Sequence, residues 1–244
     1  MWTIALLTLL GWGTSYALYD HLTDDDEDEV ERPPNEPETV TGSALDDFLI
    51  ADDGQTVEAG DGDDRVRVEG DATVHGGLGD DVLRSFEGAD QAQLFGGDGD
   101  DRIDSSNSTG GENYGGAGND DITAGINSLI EGGEGEDSVS AGNAAYVDGG
   151  AGSDDISVGD DSEVLGKDGN DTIYAGKDSL VDGGDGDDLI SVGNNSMAFG
   201  ADGDDDLIGS NDEGNATLNG DAGDDFLDLR GENPVGYGGG GDDT

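Results

Sequence analysis

GGDGDDLIS, residues 183–191, sets three glycines and three aspartates ahead of one aliphatic pair, Leu189-Ile190. A free peptide of this kind has a flexible backbone and crowded like charge, and too little apolar surface to fold around. The same register returns upstream at 17-residue intervals: GGEGEDSVS from Gly132, GGAGSDDIS from Gly149 and GKDGNDTIY from Gly166. A fixed period in this range is the signature of a solenoid, in which a coil buries its apolar face only by stacking on its neighbours.

Followed outward, the register covers everything from Gly42 on. Coils begin at 42, 59, 76, 96, 115, 132, 149, 166, 183, 200, 220 and 238. Position 6 is aspartate in every one: Asp47, Asp64, Asp81, Asp101, Asp120, Asp137, Asp154, Asp171, Asp188, Asp205, Asp225 and Asp243. Position 4 is glycine throughout except at Leu45, and position 8 is always aliphatic, from Leu49 and Val66 to Leu207 and Leu227. A merely acidic sequence would not hold this phase.

Within a coil, alternation identifies strands. Positions 8 and 10 share a face, as in Ile122/Ala124, Ile156/Val158 and Ile190/Val192. A second short strand centres on Ile130, Val147, Val164, Val181 and Ala198, preceded by a small residue (Ser128, Ala144, Ser162, Ser179, Ser196) that lets two sheets approach. Glycine content disfavours helix. The expected fold is all-β: a right-handed parallel β-roll, or β-solenoid, of about 11 coils of 17–20 residues each.

Charge sets the main problem for such a fold. The 244 residues carry 61 acidic and 8 basic side chains, a net charge of −53. Nucleic acid is excluded as a direct partner, because its phosphates would be repelled everywhere. Without cysteine there is no disulfide, thiolate ligand or thiol nucleophile. In stacked coils, equivalent residues sit about 4.8 Å apart. Two carboxylates at that distance repel by about 0.9 kcal/mol in water and about 3.5 kcal/mol at an effective dielectric near 20. A thin core cannot offset a row of twelve, so a ligand of the folded state is expected. Carboxylates and backbone carbonyls are hard donors and select calcium, which takes 6–8 oxygens in flexible geometry; magnesium demands a tighter octahedron and keeps its waters. Zinc prefers His or Cys, and the only histidines are His21 and His75.

The repeated GGxGxDxUx nonapeptide resembles the calcium-binding repeat of the RTX, or hemolysin-type, family, over Gly42 to Thr244. The resemblance implies a parallel β-roll with calcium held between turns of successive coils. It also implies that the twelve position-6 aspartates supply carboxylates and that loop carbonyls complete each site. Up to about eleven ions along one edge follow from the gaps between twelve loops. The loops at Gly42 and Gly166 are read as poorer than the pattern: Leu45 replaces glycine beside Asp47, and Lys167 replaces the second glycine beside Asp171. The second half of each coil (AGINSLIE, AGNAAYVD, VGDDSEVL, AGKDSLVD, VGNNSMAF) lacks the nonapeptide, so only one edge is expected to take calcium, the other being a tighter Gly-Asn/Asp turn.

Ahead of the repeats, residues 1–22 contain the uncharged, mostly apolar Trp2–Tyr19, read as a hydrophobic helix that is a membrane anchor, a signal peptide with Ser15-Tyr16-Ala17 as a cleavage site, or a buried helix. Residues 23–41 join an acidic block, Asp24 to Glu31, to a proline-rich spacer, and residues 42–244 form the roll, which stops in mid-coil. Either of the first two readings sends the chain to the cell surface or beyond it. Catalysis is not expected: the two histidines lie far apart, and the many serines have no base to activate them. The expectation is a calcium-binding extracellular or cell-surface repeat module that folds on binding the ion. Alternatives are a folding or secretion module of a larger exported enzyme or toxin, and an ice-binding solenoid, for which the threonine column is lacking beside the loops.

Overall fold

The computed structural model describes residues 39–210 and 214–244. The expected N-terminal hydrophobic helix (anchor or signal), the acidic block and the prolines of the spacer lie outside the described residues. Among those described there is no helix. Twenty-three strands alternate between two sheets, one of twelve and one of eleven, and every strand pairs in parallel with its counterpart one coil away. The chain is a parallel β-solenoid of about twelve turns, the first strand, Thr39–Thr41, pairing with Thr56–Asp61.

Both strands of a coil follow from its alternation. Position 8 fills a central inward column: Leu83, Ile103, Ile122, Ile156, Ile173, Ile190 and Leu207 are fully buried. Facing it are Val57, Val74, Leu94, Ile130, Val147, Val164, Val181 and Leu218, also at 0 % exposure. The two columns make one continuous core between the sheets. In-register pairing (Ile122↔Val139↔Ile156↔Ile173↔Ile190) is fixed because a one-residue slip would turn each apolar column outward.

Two details depart from the sequence reading. The glycine-rich loop is shorter than the motif: in Leu129–Glu134 and its equivalents the Gly-Gly-x half extends a strand, and only positions 4–6 turn. The small residue in the buried column before the second strand is Ala145, not Ala144. Ala145 is 3 % exposed and its amide donates to Ser162 Oγ, continuing a Ser162–Ser179–Ser196 ladder. Ala144 instead occupies the left-handed turn (φ 57°), in line with Asn127, Asp161, Asp178 and Asn195 at φ 56–61°. After glycine, Asn and Asp tolerate that conformation best, which accounts for the Asn or Asp two residues beyond the glycine of this edge in four of these five coils.

Candidate metal centre

At the opposite edge the position-6 aspartates point inward. Asp64, Asp81, Asp101, Asp120, Asp137, Asp154, Asp171, Asp188, Asp205 and Asp225 are all 0–2 % exposed. Each carboxylate bridges coils. Asp64 Oδ1 accepts the Asp47 amide at 2.7 Å, Asp137 Oδ1 the Asp120 amide at 2.8 Å, and Asp171 Oδ1 the Asp154 amide at 2.8 Å. The series runs unbroken to Asp243, whose Oδ1 accepts from Asp225 at 3.3 Å.

The second oxygen has a different fate. Oδ2 of each of those ten buried aspartates is inaccessible and has no hydrogen-bond partner. In nine of the ten coils it lies over the position-1 glycine; in the coil of Asp64 that residue is Ala59. A β-carbon added at Gly115 would stand 2.2 Å from Asp120 Oδ2 and 2.5 Å from the carbonyl oxygen of Gly132; at Gly166 both distances, to Asp171 Oδ2 and Gly183 O, would be 2.3 Å. A carboxylate oxygen and a carbonyl of the next coil therefore crowd the same small space, which the glycine beneath leaves open in those nine coils. Ala59, fully buried, is the one side chain at position 1.

Burial raises the affinity of these carboxyls for protons, and neighbouring aspartates add to it, against the lowering effect of the amide bond. Asp101, Asp154 and Asp188 are pushed up to about 7, and Asp81, Asp120 and Asp205 to about 6, from an ordinary 3.8. Asp64, Asp137, Asp171 and Asp225 are raised as well, desolvation being the first cause in each. An ionised row in this setting needs a counter-charge.

The ends stand apart. Asp47 is half-buried, and its Oδ2 is already taken by the Ser43 amide and hydroxyl at 2.6 and 2.8 Å. Asp243 is exposed. Lys167, by contrast, does not disturb its loop: it takes φ 87°, its Nζ reaches Asp148 Oδ2 at 3.6 Å, and Asp171 stays buried. Ala201 and Asp221 replace the same glycine at φ 81° and 69°.

A second ladder at position 5 escaped the sequence reading. Amides of Asp80, Asp100, Asn119 and Glu136 donate to side chains one coil back, Asp63, Asp80, Asp100 and Asn119, at 2.8–3.1 Å. It resumes at Asn170, which donates to Ser153 Oγ, and continues to Asp242. The two ladders run in opposite directions because consecutive peptide N–H groups point to opposite ends of the stack. A short acceptor (Asp, Asn or Ser) at position 5 was the available signal. His75 takes no part at this edge; it stacks on Phe95, which stacks on Tyr114, with ring centroids 4.6 Å apart.

Among the described residues, no group of three or more His, Cys, Asp and Glu side chains is gathered as a metal cluster. Each coil offers one buried carboxylate oxygen, and a cation there would draw its other ligands from carbonyls and the adjacent coil. Hard, oxygen-only donors with an unpartnered buried carboxylate oxygen fit calcium in chemistry. A comparison with protein-family models, with curated proteins and with solved structures found no match to this chain.

Proposed function

We propose that this chain is a calcium-binding repeat module of the RTX type, exported to the cell surface or beyond, whose roll is completed by cations along its aspartate edge. The observation that carries the reading is the run of ten buried position-6 aspartates, each with Oδ1 committed to a neighbouring amide and Oδ2 without a partner. A ligand bound only by the folded chain adds its binding energy to folding. Calcium would be held by position-6 carboxylates with loop carbonyls, and it would supply the positive charge that the buried row lacks. The chain's own residues space the coils, keep water from the carboxylates and fix their Oδ1 atoms in place. Asp47 and Asp243 contribute least on this reading, given their exposure and, for Asp47, its occupied Oδ2.

Circular dichroism tests it directly. The chain should lack most of its β signal in EGTA and gain it in millimolar calcium, with much less gain in magnesium. A full β spectrum in chelator, unchanged by calcium, would overturn the proposal. Export has its own check: a reporter fused after Pro37 should be active only outside the cytosol, and cytosolic activity without membrane association would exclude Trp2–Tyr19 as anchor and as signal.

A further inference from the structure

One coil breaks the apolar interior. In the inward column that runs Leu94, Asn113, Ile130 in register, the middle residue is an asparagine at 0 % exposure. Neither its Nδ2 nor its Oδ1 has a hydrogen-bond partner. Across the core, the strand Arg102–Thr109 of the same coil turns Ile103 and Ser105 inward. Ser105 is 2 % exposed, and its Oγ is equally unpartnered. Nearby polar groups are already satisfied, since Ser85 Oγ and Ser108 Oγ bond each other at 2.6 Å.

We infer that Asn113 and Ser105 bind an ordered water molecule inside the roll. Three buried polar atoms in one coil, all without partners, are costly unless something bridges them. Water holds such a position when two to four polar groups surround it. Asn113 offers a donor and an acceptor, and the Ser105 hydroxyl can serve as either. Space comes from the sequence itself: asparagine, as long as leucine, fills less volume than the Leu94 and Ile130 that flank it, and the position-10 residues here are small, Ser105 pairing with Ala124. The groups are neutral and belong to the sheet interior, so this water is separate from the aspartate edge and does not rest on the calcium reading.

A double-mutant cycle on the full chain tests it: Asn113→Leu, Ser105→Ala and the pair, each followed by denaturant midpoint under conditions where the unaltered protein is folded. Each single change should lower the midpoint, because it strands the water and the remaining polar partner. The double change should recover most of the loss. A high-resolution crystal structure should show water density within hydrogen-bonding distance of both side chains, absent in the Asn113→Leu protein. Single changes that each raise the midpoint additively would overturn the inference, as would a dry interior at this coil. Should Asn113→Leu fail to fold, Ser105→Ala and the crystal structure of the unaltered protein decide the question alone.

Discussion

Asp154 shows what one residue contributes to two different equilibria. Its Oδ1 holds the Asp137 amide at 2.9 Å, a neutral task that needs only an acceptor, while its buried charge is a liability without a cation. Folded carboxyls titrating near 6 to 7 keep protons that the unfolded chain, near 3.8, has already released. Between about pH 4 and 7 the folded form therefore binds more protons, and stability falls as the pH rises through that window. In buffer stripped of divalent cations, β signal should grow as the pH is lowered from 7.5 to 5. The calcium midpoint should rise over the same change, because protons compete for the carboxylates. A cation-free spectrum that does not vary with pH would exclude this account. Asp171→Asn separates the two tasks. It keeps the acceptor for the Asp154 amide, so cation-free folding should hold or improve, while calcium titration should show a midpoint raised several-fold and one ion fewer by calorimetry.

At the scale of the coil, steric contact along the stack explains the glycine pattern better than turn chemistry does. A β-carbon at Gly152 would lie 1.9 Å from the Gly135 carbonyl oxygen, and at Gly118 2.1 Å from that of Gly99. Position 4 thus excludes side chains wherever a coil precedes it. Leu45 is the exception that fits, since among the described residues no earlier loop lies against it and it is 74 % exposed. Position 2 meets the same contact in its glycine conformation, a β-carbon at Gly184 lying 2.0 Å from the Lys167 carbonyl oxygen, but the backbone there can rotate to relieve it, as Lys167, Ala201 and Asp221 show at φ 69–87°. Gly184→Ala, between Lys167 and Ala201 in that column, should cost about 1 kcal/mol, and Gly152→Ala about 3 kcal/mol or more, in denaturant unfolding with calcium present. Equal costs would mean that backbone rotation does not relieve the contact at position 2. Strands, inward columns and coil register were legible because position 8 and the second-strand column alternate at fixed spacing. Two features were not. The position-5 ladder depends on which way each N–H points, and Asp or Asn there reads as ordinary acidic surface. Asn113 sits in a 19-residue coil that departs from the 17-residue beat. Ala145 was legible after all, since it stands 17 residues after Ser128 and 17 before Ser162, and the register selects it over Ala144.

Over the whole molecule, coils touch only their neighbours, so stability is close to a sum of local terms and the ends fray first. About eleven divalent ions would cancel less than half of the net charge of −53, which leaves the filled roll strongly acidic and its coils still repelling. Binding sites and general screening then predict different behaviour. Asp154 lies in the regular run with a bridging carboxylate on each side; Asp47 is half-buried at one end with its Oδ2 occupied by Ser43. Asp154→Ala strands the Asp137 amide and removes one inter-coil carboxylate, uncoupling the coils on its two flanks. The calcium-dependent transition should move to higher concentration and broaden. Asp47→Ala should barely shift it, because among the described residues the first coil has a neighbouring loop on one side only and the Asp47 Oδ2 is already held by Ser43. Monovalent salt provides the second arm: if screening alone sufficed, high sodium chloride would fold the chelated chain, whereas inter-coil sites require calcium even then. Equal effects from the two substitutions, together with folding in sodium, would replace specific sites with diffuse neutralisation as the force that closes the stack.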